Sequence, residues 1–328
     1  MLTLVVIIIV IALSFDFLNG MNDAANSIAT IVSTKVLSPL SAVIWAAFFN
    51  FAAAFIFGHH VAETIGKGIV EPNIVEPYFL LATLIGSIFW VYFCTHYGLP
   101  ISVSHALIGG LIGPALIKGG TSVIYASGII KISAFIVLSP VIGLLLGYFF
   151  MIISMRIFRN TSPYKVDSIS RILQLVSSAF FSLAHGGNDA QKTMGIIAVL
   201  LYSTGYIDSV HVPFWVVIAA YSTISLGTLT GGWKVIRTLG VNLTDLKPIG
   251  GLCAELSGAI TIIGSTLGGI PVSTTHTITG SIIGTGITKR LSAVRWGVAK
   301  NVAFAWIFTI PSSMIISMIA YWIISFFI

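Results

Sequence analysis

The sequence predicts an all-α protein that crosses a membrane many times and consists of two inverted-topology repeats, with about five membrane segments in each. Composition is the first observation: 56% of the 328 residues are hydrophobic, 8% are charged and mean hydropathy is +1.02, whereas a soluble domain has about 25% charged residues. Apolar runs of roughly 20 residues, enough for a helix to cross a hydrocarbon core, recur along the chain. Because these runs do not alternate, they favour helices over a β-barrel.

Two pairs of motifs, which are the second observation, indicate that the chain is duplicated. NGMNDAANS (19–27) is answered by HGGNDAQKT (185–193), and its Asn-Asp pair recurs 166 positions on. LPISVSHALIGGLIG (99–113) is answered by IPVSTTHTITGSIIG (270–284), with a constant offset of 171. Two matched motifs in the same order predict two homologous halves.

The apolar segments fall into five before and five after one hydrophilic stretch, RIFRNTSPYKVDSISR. The predicted units are therefore a first membrane repeat over 1–155, a cytoplasmic linker over 156–171 and a second, inverted membrane repeat over 172–328. An odd number of crossings in each half makes the halves enter the membrane from opposite faces.

The charges of equivalent loops agree with that inversion. The predicted loop 59–77 has three glutamates and one lysine, whereas its counterpart 233–247 has three basic residues and one aspartate. Placing the basic loops in the cytoplasm puts 12 of the 16 basic residues there, which satisfies the positive-inside rule and predicts both termini outside. These basic residues are scattered over short loops, so they do not predict nucleic-acid binding.

Asp23 and Asp189 lie inside the first and sixth apolar segments, which we expect to be broken or re-entrant at the Asn-Asp cluster. A buried carboxylate costs at least about 3 kcal/mol unless it is paired or solvated, so the cluster predicts a bound alkali cation or a transported proton. Lys192 can neutralise one carboxylate, but its counterpart is Asn26. Hard oxygen ligands for a small cation are offered by Asn22, Asp23, Asn188, Asp189 and by carbonyl groups freed by unwinding near Gly20, Gly186 and Gly187.

The paired proline motifs predict an anion site. Pro100 and Pro271 favour the first turns of helices, whose free N–H groups and positive dipole ends attract anions. His105 and His276 either orient a hydroxyl group or touch the substrate, and both readings stay open. The glycines of the motifs are explained by close helix packing. Hydroxyl donors come from Ser102, Ser104, Ser273, Thr274 and Thr275.

Glu255 is a further carboxylate within an apolar segment, and the matching segment 78–97 has no acidic residue. We therefore predict a functional role for Glu255. A metal-dependent hydrolase is not expected, because zinc sites need convergent histidine or cysteine ligands. An anion channel is the alternative from a different class.

The motifs resemble those of the inorganic phosphate transporter family, the PiT proteins, in which two copies of a G-x-N-D-x-x-N/K signature open homologous halves. The copies here are GMNDAAN (20–26) and GGNDAQK (186–192), and each half also carries a P-[IV]-S-x-[ST]-H stretch. The resemblance spans essentially the whole chain, without the long central domain of animal members.

This resemblance implies sodium- or proton-coupled phosphate uptake across the plasma or inner membrane by a protein that is often a homodimer. A glutamate that the family carries in its second segment is Asn50 here. Proton-coupled transport of phosphate or metal phosphate, and transport of sulfate, are the alternatives on the same scaffold. Positions that match functional ones in the family are Asp23, Asp189, His185, Glu255, Ser102 and Ser273.

The residues and the resemblance together suggest a mechanism. Phosphate is an anion, so two bare aspartates would repel it. Sodium bound at Asn22-Asp23 and Asn188-Asp189, with Glu255, is expected to cancel that charge and create a site for phosphate between the two proline motifs. Besides the hydroxyl groups of those motifs, the predicted phosphate ligands are Asp23, Asn26, Asp189 and Lys192. A carboxylate can also accept the P–OH proton of phosphate, an interaction that sulfate lacks at neutral pH.

Overall fold

The computed structural model describes residues 1–327, which form twelve α-helices and no β-strand within that range. Short 3-10 turns and irregular segments connect the helices. The helices are α1 (Leu2–Ser33), α2 (Pro39–Ala52), α3 (His60–Lys67), α4 (Pro77–Tyr97), α5 (Val103–Gly119), α6 (Ala126–Ile157), α7 (Pro163–Ser203), α8 (Phe214–Thr230), α9 (Trp233–Gly240), α10 (Pro248–Leu267), α11 (Thr274–Ile287) and α12 (Trp296–Ile324).

Proline and glycine set several of the helix ends. Helices α2, α4, α7 and α10 each begin at a proline, whose fixed φ and missing N–H group suit the first helical turn. Helix α4 ends at Gly98, which has a φ of 72° and so terminates the helix in the left-handed conformation.

Six helices are long and apolar enough to cross a membrane, and the number rises to eight if two bent pairs each count as one span. The pairs are α2 with α3, bent by 82°, and α8 with α9, bent by 75°. Counting each pair once gives five elements before the connection at 158–162 and five after it. The structure thus confirms a multi-pass helical protein with broken helices.

The predicted position of the breaks was wrong. Helices α1 and α7 run without interruption through the Asn-Asp clusters, so no backbone carbonyl is freed there. Gly20 and Gly186 have another use: the first lies against the backbone of Ile224 and the second against that of Asn50. These glycines allow close approach of a neighbouring helix rather than unwinding.

Two predicted loops are largely helical. The stretch 59–77 contains α3, which packs against α7, and the stretch 233–247 contains α9, which packs against α1. The predicted linker 156–171 is also mostly helical, because α7 begins at Pro163. The short helices α3 and α9 each bury their apolar residues against a long helix. Their opposite faces are polar, and this polarity is the reason that the sequence predicted loops there.

The two halves of the chain interlock. Helix α1 packs on α8 and α9 of the second half, and α7 packs on α2 and α3 of the first. Helix α5 packs on α12, and α11 packs on α6, so every one of these pairings recurs with the halves exchanged. Helices α1 and α7 also contact each other, and this contact brings the two polar clusters together.

Glycines form the tightest helix crossings. Gly280 and Gly284 of α11 lie against the backbone carbonyls of Pro140 and Leu144 on α6. Equivalent glycines on α5, Gly109 and Gly113, lie against α12 in the same way. The packing role that the sequence indicated for these glycines is therefore confirmed.

We expect Gly280→Ala to destabilise the protein by about 1–3 kcal/mol, because the new Cβ would overlap the Pro140 carbonyl oxygen. The matched control is Gly264→Ala in α10, where no atom would lie within 4 Å of the Cβ; this change should gain up to about 1 kcal/mol of helix propensity. Thermal unfolding of the two purified variants in detergent measures the difference. Equal transition temperatures would contradict the packing account.

Candidate functional site

Asp23 on α1 and Asp189 on α7 meet in the interior of the molecule. Their side chains are almost fully buried, at 2% and 1% exposure. An oxygen of each carboxyl group and Nε2 of His185 all lie within 4.8 Å of one another. Two carboxylates this close repel each other strongly in a medium of low polarity. The arrangement therefore requires positive charge or protons beside them.

Lys192 supplies one positive charge. Its Nζ pairs with Asp189 three residues earlier on the same face of α7, donates to Ser104 Oγ at 2.5 Å and lies 3.3 Å from the Val272 carbonyl oxygen. The side chain is 1% exposed. With two aspartates and one lysine, the centre has a net charge of −1 when His185 is neutral.

Asn26 occupies the equivalent position on α1 and makes an equivalent contact. Its Nδ2 donates to Thr275 Oγ1 at 2.9 Å and to Thr274 Oγ1 at 3.2 Å. Thr275 and Ser104 are themselves equivalent residues of the two proline motifs. Lysine and asparagine thus play the same donor role in the two halves, but only the second half carries a charge.

Thr274 lies between the two aspartates. Its hydroxyl is 3.2 Å from Asp23 Oδ2 and 3.1 Å from Asp189 Oδ2. A hydroxyl group has one hydrogen, so Thr274 donates to one carboxylate at a time. The other carboxylate oxygen at this point needs a different partner.

The amide of Asn50 fixes the orientation of His185. Asn50 Nδ2 donates to Thr228 Oγ1 at 2.9 Å, and the Thr228 hydroxyl already donates to a carbonyl of its own helix, so it can only accept. Asn50 Oδ1 is therefore the atom that faces His185 Nδ1, at 3.1 Å. It follows that Nδ1 carries a hydrogen.

The other ring nitrogen of His185 faces the carboxylates. Nε2 lies 3.2 Å from Asp189 Oδ2 and 3.8 Å from Asp23 Oδ2. A neutral ring with its hydrogen on Nδ1 would turn the lone pair of Nε2 toward these oxygens. Nε2 makes no hydrogen bond in this structure, and protonation of the ring would turn the repulsion into attraction.

Asn22 and Asn188 each offer a free oxygen beside the aspartates. Asn22 Nδ2 donates to Thr95 Oγ1 at 2.7 Å, and Asn188 Nδ2 donates to Thr266 Oγ1 at 2.9 Å. Both threonine hydroxyls already donate to carbonyls of their own helices, which fixes both amides in this orientation. Both Oδ1 atoms are buried and accept no hydrogen bond. Unpartnered amide oxygens are suited to a small hard cation.

The two proline motifs meet at this centre, although their helices start later than predicted. Helix α5 begins at Val103 rather than at Pro100, and α11 begins at Thr274 rather than at Pro271. The extended residues before each helix accept bonds from the opposite motif: Ser104 Oγ donates to the Val272 carbonyl at 3.1 Å, and Thr275 Oγ1 donates to the Ile101 carbonyl at 2.9 Å.

The serines and histidines of the motifs have local partners. Ser102 and Ser273 are N-caps, and their Oγ atoms accept the backbone N–H groups of His105 at 3.3 Å and His276 at 3.2 Å. The two imidazole rings meet edge to face at 4.7 Å, and His276 stacks on Trp306 at 3.7 Å. The serine hydroxyls keep a hydrogen that can be donated to a ligand.

Glu255 lies apart from this centre. Its carboxylate accepts three hydrogen bonds, from Thr30 at 2.6 Å, Gln174 at 3.0 Å and Ser177 at 2.5 Å. Thr30 is seven positions beyond Asp23 on α1, about 10 Å along the helix. The three bonds join α1, α7 and α10 and stabilise the carboxylate.

The structure thus separates the predicted site residues into three groups. Glu255 forms its own hydrogen-bond network. The N-cap serines Ser102 and Ser273 and the imidazole rings of His105 and His276 support the starts of α5 and α11. The residues brought together at the centre are Asn22, Asp23, Asn26, Ser104, His185, Asn188, Asp189, Lys192, Thr274 and Thr275.

Sequence reasoning missed the residues that orient these side chains. Asn50 fixes His185, and Thr95 and Thr266 fix the two asparagines. One signal was available for the threonines, because they are 171 positions apart, the same offset as the proline motifs. No pattern in the chain links Asn50 to His185, since only the packing of α2 on α7 brings them together.

Comparison with known proteins decides the family. The model of the phosphate transporter family matches the chain over residues 19–166 and 159–317. The chain belongs to the phosphate transporter family. The resemblance drawn from the two motif pairs is therefore confirmed.

Relatives of this family match the chain over nearly its whole length. A probable low-affinity inorganic phosphate transporter of Rhizobium meliloti (strain 1021) is 55% identical over 319 residues, covering 97% of this chain and 96% of the relative. A protein of the same description from Bacillus subtilis (strain 168) is 42% identical, covering 99% and 98%. A solved structure titled "The sodium-dependent phosphate transporter" has a TM-score of 0.90 and 27% identity, and covers 99% of this chain and 100% of its own.

Membership places the chain among multi-pass membrane phosphate transporters and not among enzymes. The centre at Asp23 and Asp189 lies in the interior of this chain. It is closed on both sides, since every side chain gathered there is at most 3% exposed.

We expect Asn50→Leu to lower phosphate uptake about 10- to 100-fold, because the buried Nδ1–H of His185 loses its acceptor and an unpaired buried group costs about 1–3 kcal/mol. Asn73→Leu, in an exposed turn, is the control. Radiolabelled uptake into cells with equal amounts of each variant measures the effect. Unchanged uptake by Asn50→Leu would show that the orientation of His185 is not needed.

Proposed function

We propose that the chain is a secondary active transporter that imports inorganic phosphate together with sodium by alternating access. The observation that carries the proposal is the closed centre in which two buried aspartates face one lysine. Such a centre has too much negative charge to receive an anion by itself. A coupling cation resolves the conflict, because it must bind before or with phosphate.

Sodium fits the oxygen atoms present. Asn22 Oδ1 and Asn188 Oδ1 accept no hydrogen bond. Each asparagine is followed in the chain by an aspartate whose carboxylate needs charge compensation. We place one ion with Asn22 and Asp23 and another with Asn188 and Asp189. Carboxylate and amide oxygens are the ligands that hard cations prefer. Glu255, which is already satisfied by three donors, is a positioning residue in this proposal rather than a sodium ligand.

Phosphate would bind between the starts of α5 and α11. Lys192 and Asn26 supply donors from the long helices, and the hydroxyls of Ser104 and Thr275 rotate from the opposite carbonyls toward the phosphate oxygens. The free N–H groups of both helix starts favour an anion. Thr274, Ser102 and Ser273 add hydroxyl donors at the same ends.

The closed geometry supports a carrier rather than an anion channel, because an open pore would leave the site residues exposed. The reciprocal packing of the halves supports rocking of one half against the other as the way in which the site alternates. An inner or plasma membrane location, a homodimer and both termini outside remain predictions of the sequence.

Proton coupling is the second candidate, and one observation favours it. His185 Nε2 faces two carboxylates, so the ring is placed to take up a proton that a transport cycle releases and regains. This proton can accompany phosphate or a metal phosphate. Sulfate is the alternative anion, and its lack of a proton at neutral pH makes it the poorer partner for a buried carboxylate.

We expect an inward sodium gradient to stimulate uptake of radiolabelled phosphate into proteoliposomes, with saturable kinetics. The control is the same gradient imposed with potassium, and excess sulfate should compete weakly. If uptake is independent of sodium but depends on a pH gradient, the coupling ion is the proton rather than sodium. Uptake that does not saturate would favour the channel.

We expect Asp23→Asn and Asp189→Asn each to abolish sodium-stimulated uptake, because each removes a carboxylate that a cation needs. Asp189→Asn also leaves the buried Lys192 without its partner, which costs about 3–5 kcal/mol, so it should lower thermal stability as well. Asp208→Asn, at an exposed connection, is the matched control. Sodium stimulation that survives in Asp23→Asn would contradict the assigned cation site.

A further inference from the structure

Helix α1 carries another buried acid, Asp16, that the transport site does not use. It is fully buried and lies seven positions before Asp23, about 10 Å along the helix. Its Oδ1 accepts one hydrogen bond, from Thr193 Oγ1 at 2.9 Å, and its Oδ2 accepts none. An ionised carboxylate offers about four acceptor positions, so Asp16 is poorly satisfied as an anion.

Two neighbouring polar side chains are also without partners. Asn19 lies one turn further along α1, on the same face as Asp16, and neither atom of its amide makes a hydrogen bond. Tyr221 of α8 lies near the same carboxyl group, and its hydroxyl is likewise unpartnered. Both side chains are fully buried. Three unsatisfied polar groups at one place in a membrane protein are expensive unless function requires them.

These neighbours suit a group that gains and loses a proton. Asn19 and Tyr221 each contain an acceptor for the O–H of a protonated carboxyl group and a donor for an ionised one. Thr193 adds a donor for the ionised form. A site built for a sodium ion would instead need several oxygen atoms with no hydrogen pointing inward.

The ionisable groups around Asp16 do not hold it permanently charged. Asp189 and Lys192 act on it from α7, and Tyr221 acts on it from α8. Lys192 is already paired with Asp189, and on α1 the next ionisable residue is Asp23. Helix α2 has no ionisable residue. None of the ionisable residues of α4 and α9 is paired with Asp16. Those of α4 are Tyr78, Tyr92, Cys94, His96 and Tyr97, and those of α9 are Lys234 and Arg237.

We propose that Asp16, with Asn19 and Tyr221, is a proton-binding site separate from the phosphate centre. In the proposal the carboxyl group takes one proton from the outer side and releases it to the inner side in each cycle. No other bond is made or broken. The inference rests on the proposed transport function, but it holds whichever cation binds at Asp23 and Asp189.

Asp16 is linked to the phosphate centre through α7. Its donor, Thr193, follows Lys192 directly in the chain. When phosphate engages Lys192, the positive charge that Asp16 senses is reduced, and the carboxyl group is then favoured in its protonated form. Phosphate binding and proton binding thereby support each other.

The site occurs once in the chain. The offset of 166 that relates the Asn-Asp clusters places Ser182 opposite Asp16 and Ser27 opposite Thr193. Both serines are buried and their hydroxyls are unpartnered. Ser182 therefore provides a control at the equivalent depth that cannot take up a proton in this range.

The test compares net phosphate uptake with phosphate–phosphate exchange in proteoliposomes. An inward gradient of one pH unit supports up to about tenfold accumulation for each co-transported proton. We expect Asp16→Asn to lose this response but to keep exchange, because exchange does not require the empty carrier to release a proton. Asp16→Glu should restore the response, and Ser182→Ala should behave as the unaltered protein.

Several results would overturn the proposal. If the pH response persists in Asp16→Asn, Asp16 does not carry the proton. The same conclusion follows if the unaltered protein transports phosphate without any pH response. Loss of exchange by well-folded Asp16→Asn would make the residue part of the phosphate site, and reduced binding of radioactive sodium would make it a sodium ligand. If the unaltered protein transports no phosphate at all, the proposed function itself fails.

Discussion

The rest of this structure depends on holding two carboxylates a few ångströms apart in an interior that excludes water. Asp23 and Asp189 repel each other there, and one lysine and one threonine hydroxyl compensate only part of their charge. The surrounding bonds serve to keep the two groups in place. Paired threonines hold the asparagines, opposite carbonyls hold Ser104 and Thr275, and Asn50 holds His185.

The fold class, the number of elements in each half and most members of the central cluster were readable from the sequence, because motif spacing and apolar length are local properties. The state of α1 was not. Polarity at Asn22 and Asp23 suggested a broken helix, but both side chains bond to α4 and α11 while the backbone stays helical. The position of Glu255 was equally hidden, since only the packing of α10 on α7 shows that its partners are neutral donors.

Close helix approach and polar clustering are connected in this protein. Gly20 lets α8 reach the backbone of α1, and Gly186 lets α2 reach that of α7. The second contact delivers Asn50 to His185, so a glycine that looked like a point of unwinding is what allows the histidine to be oriented. Small residues in membrane helices therefore act here on the chemistry of the site as well as on packing.

A chain with two inverted, equivalent halves would have inward-open and outward-open states of equal free energy, related by a two-fold rotation about an axis in the membrane plane. Positions at which the halves differ are the ones able to bias that balance. Lysine replaces asparagine at 192, and serine replaces aspartate at 182, and both differences adjoin the aspartate centre through α7. The charge of the site is thus asymmetric although its scaffold is not. In the proposed mechanism, direction and coupling would depend on a few unmatched side chains, while the matched ones would supply the helix starts and the oxygen ligands that either state needs.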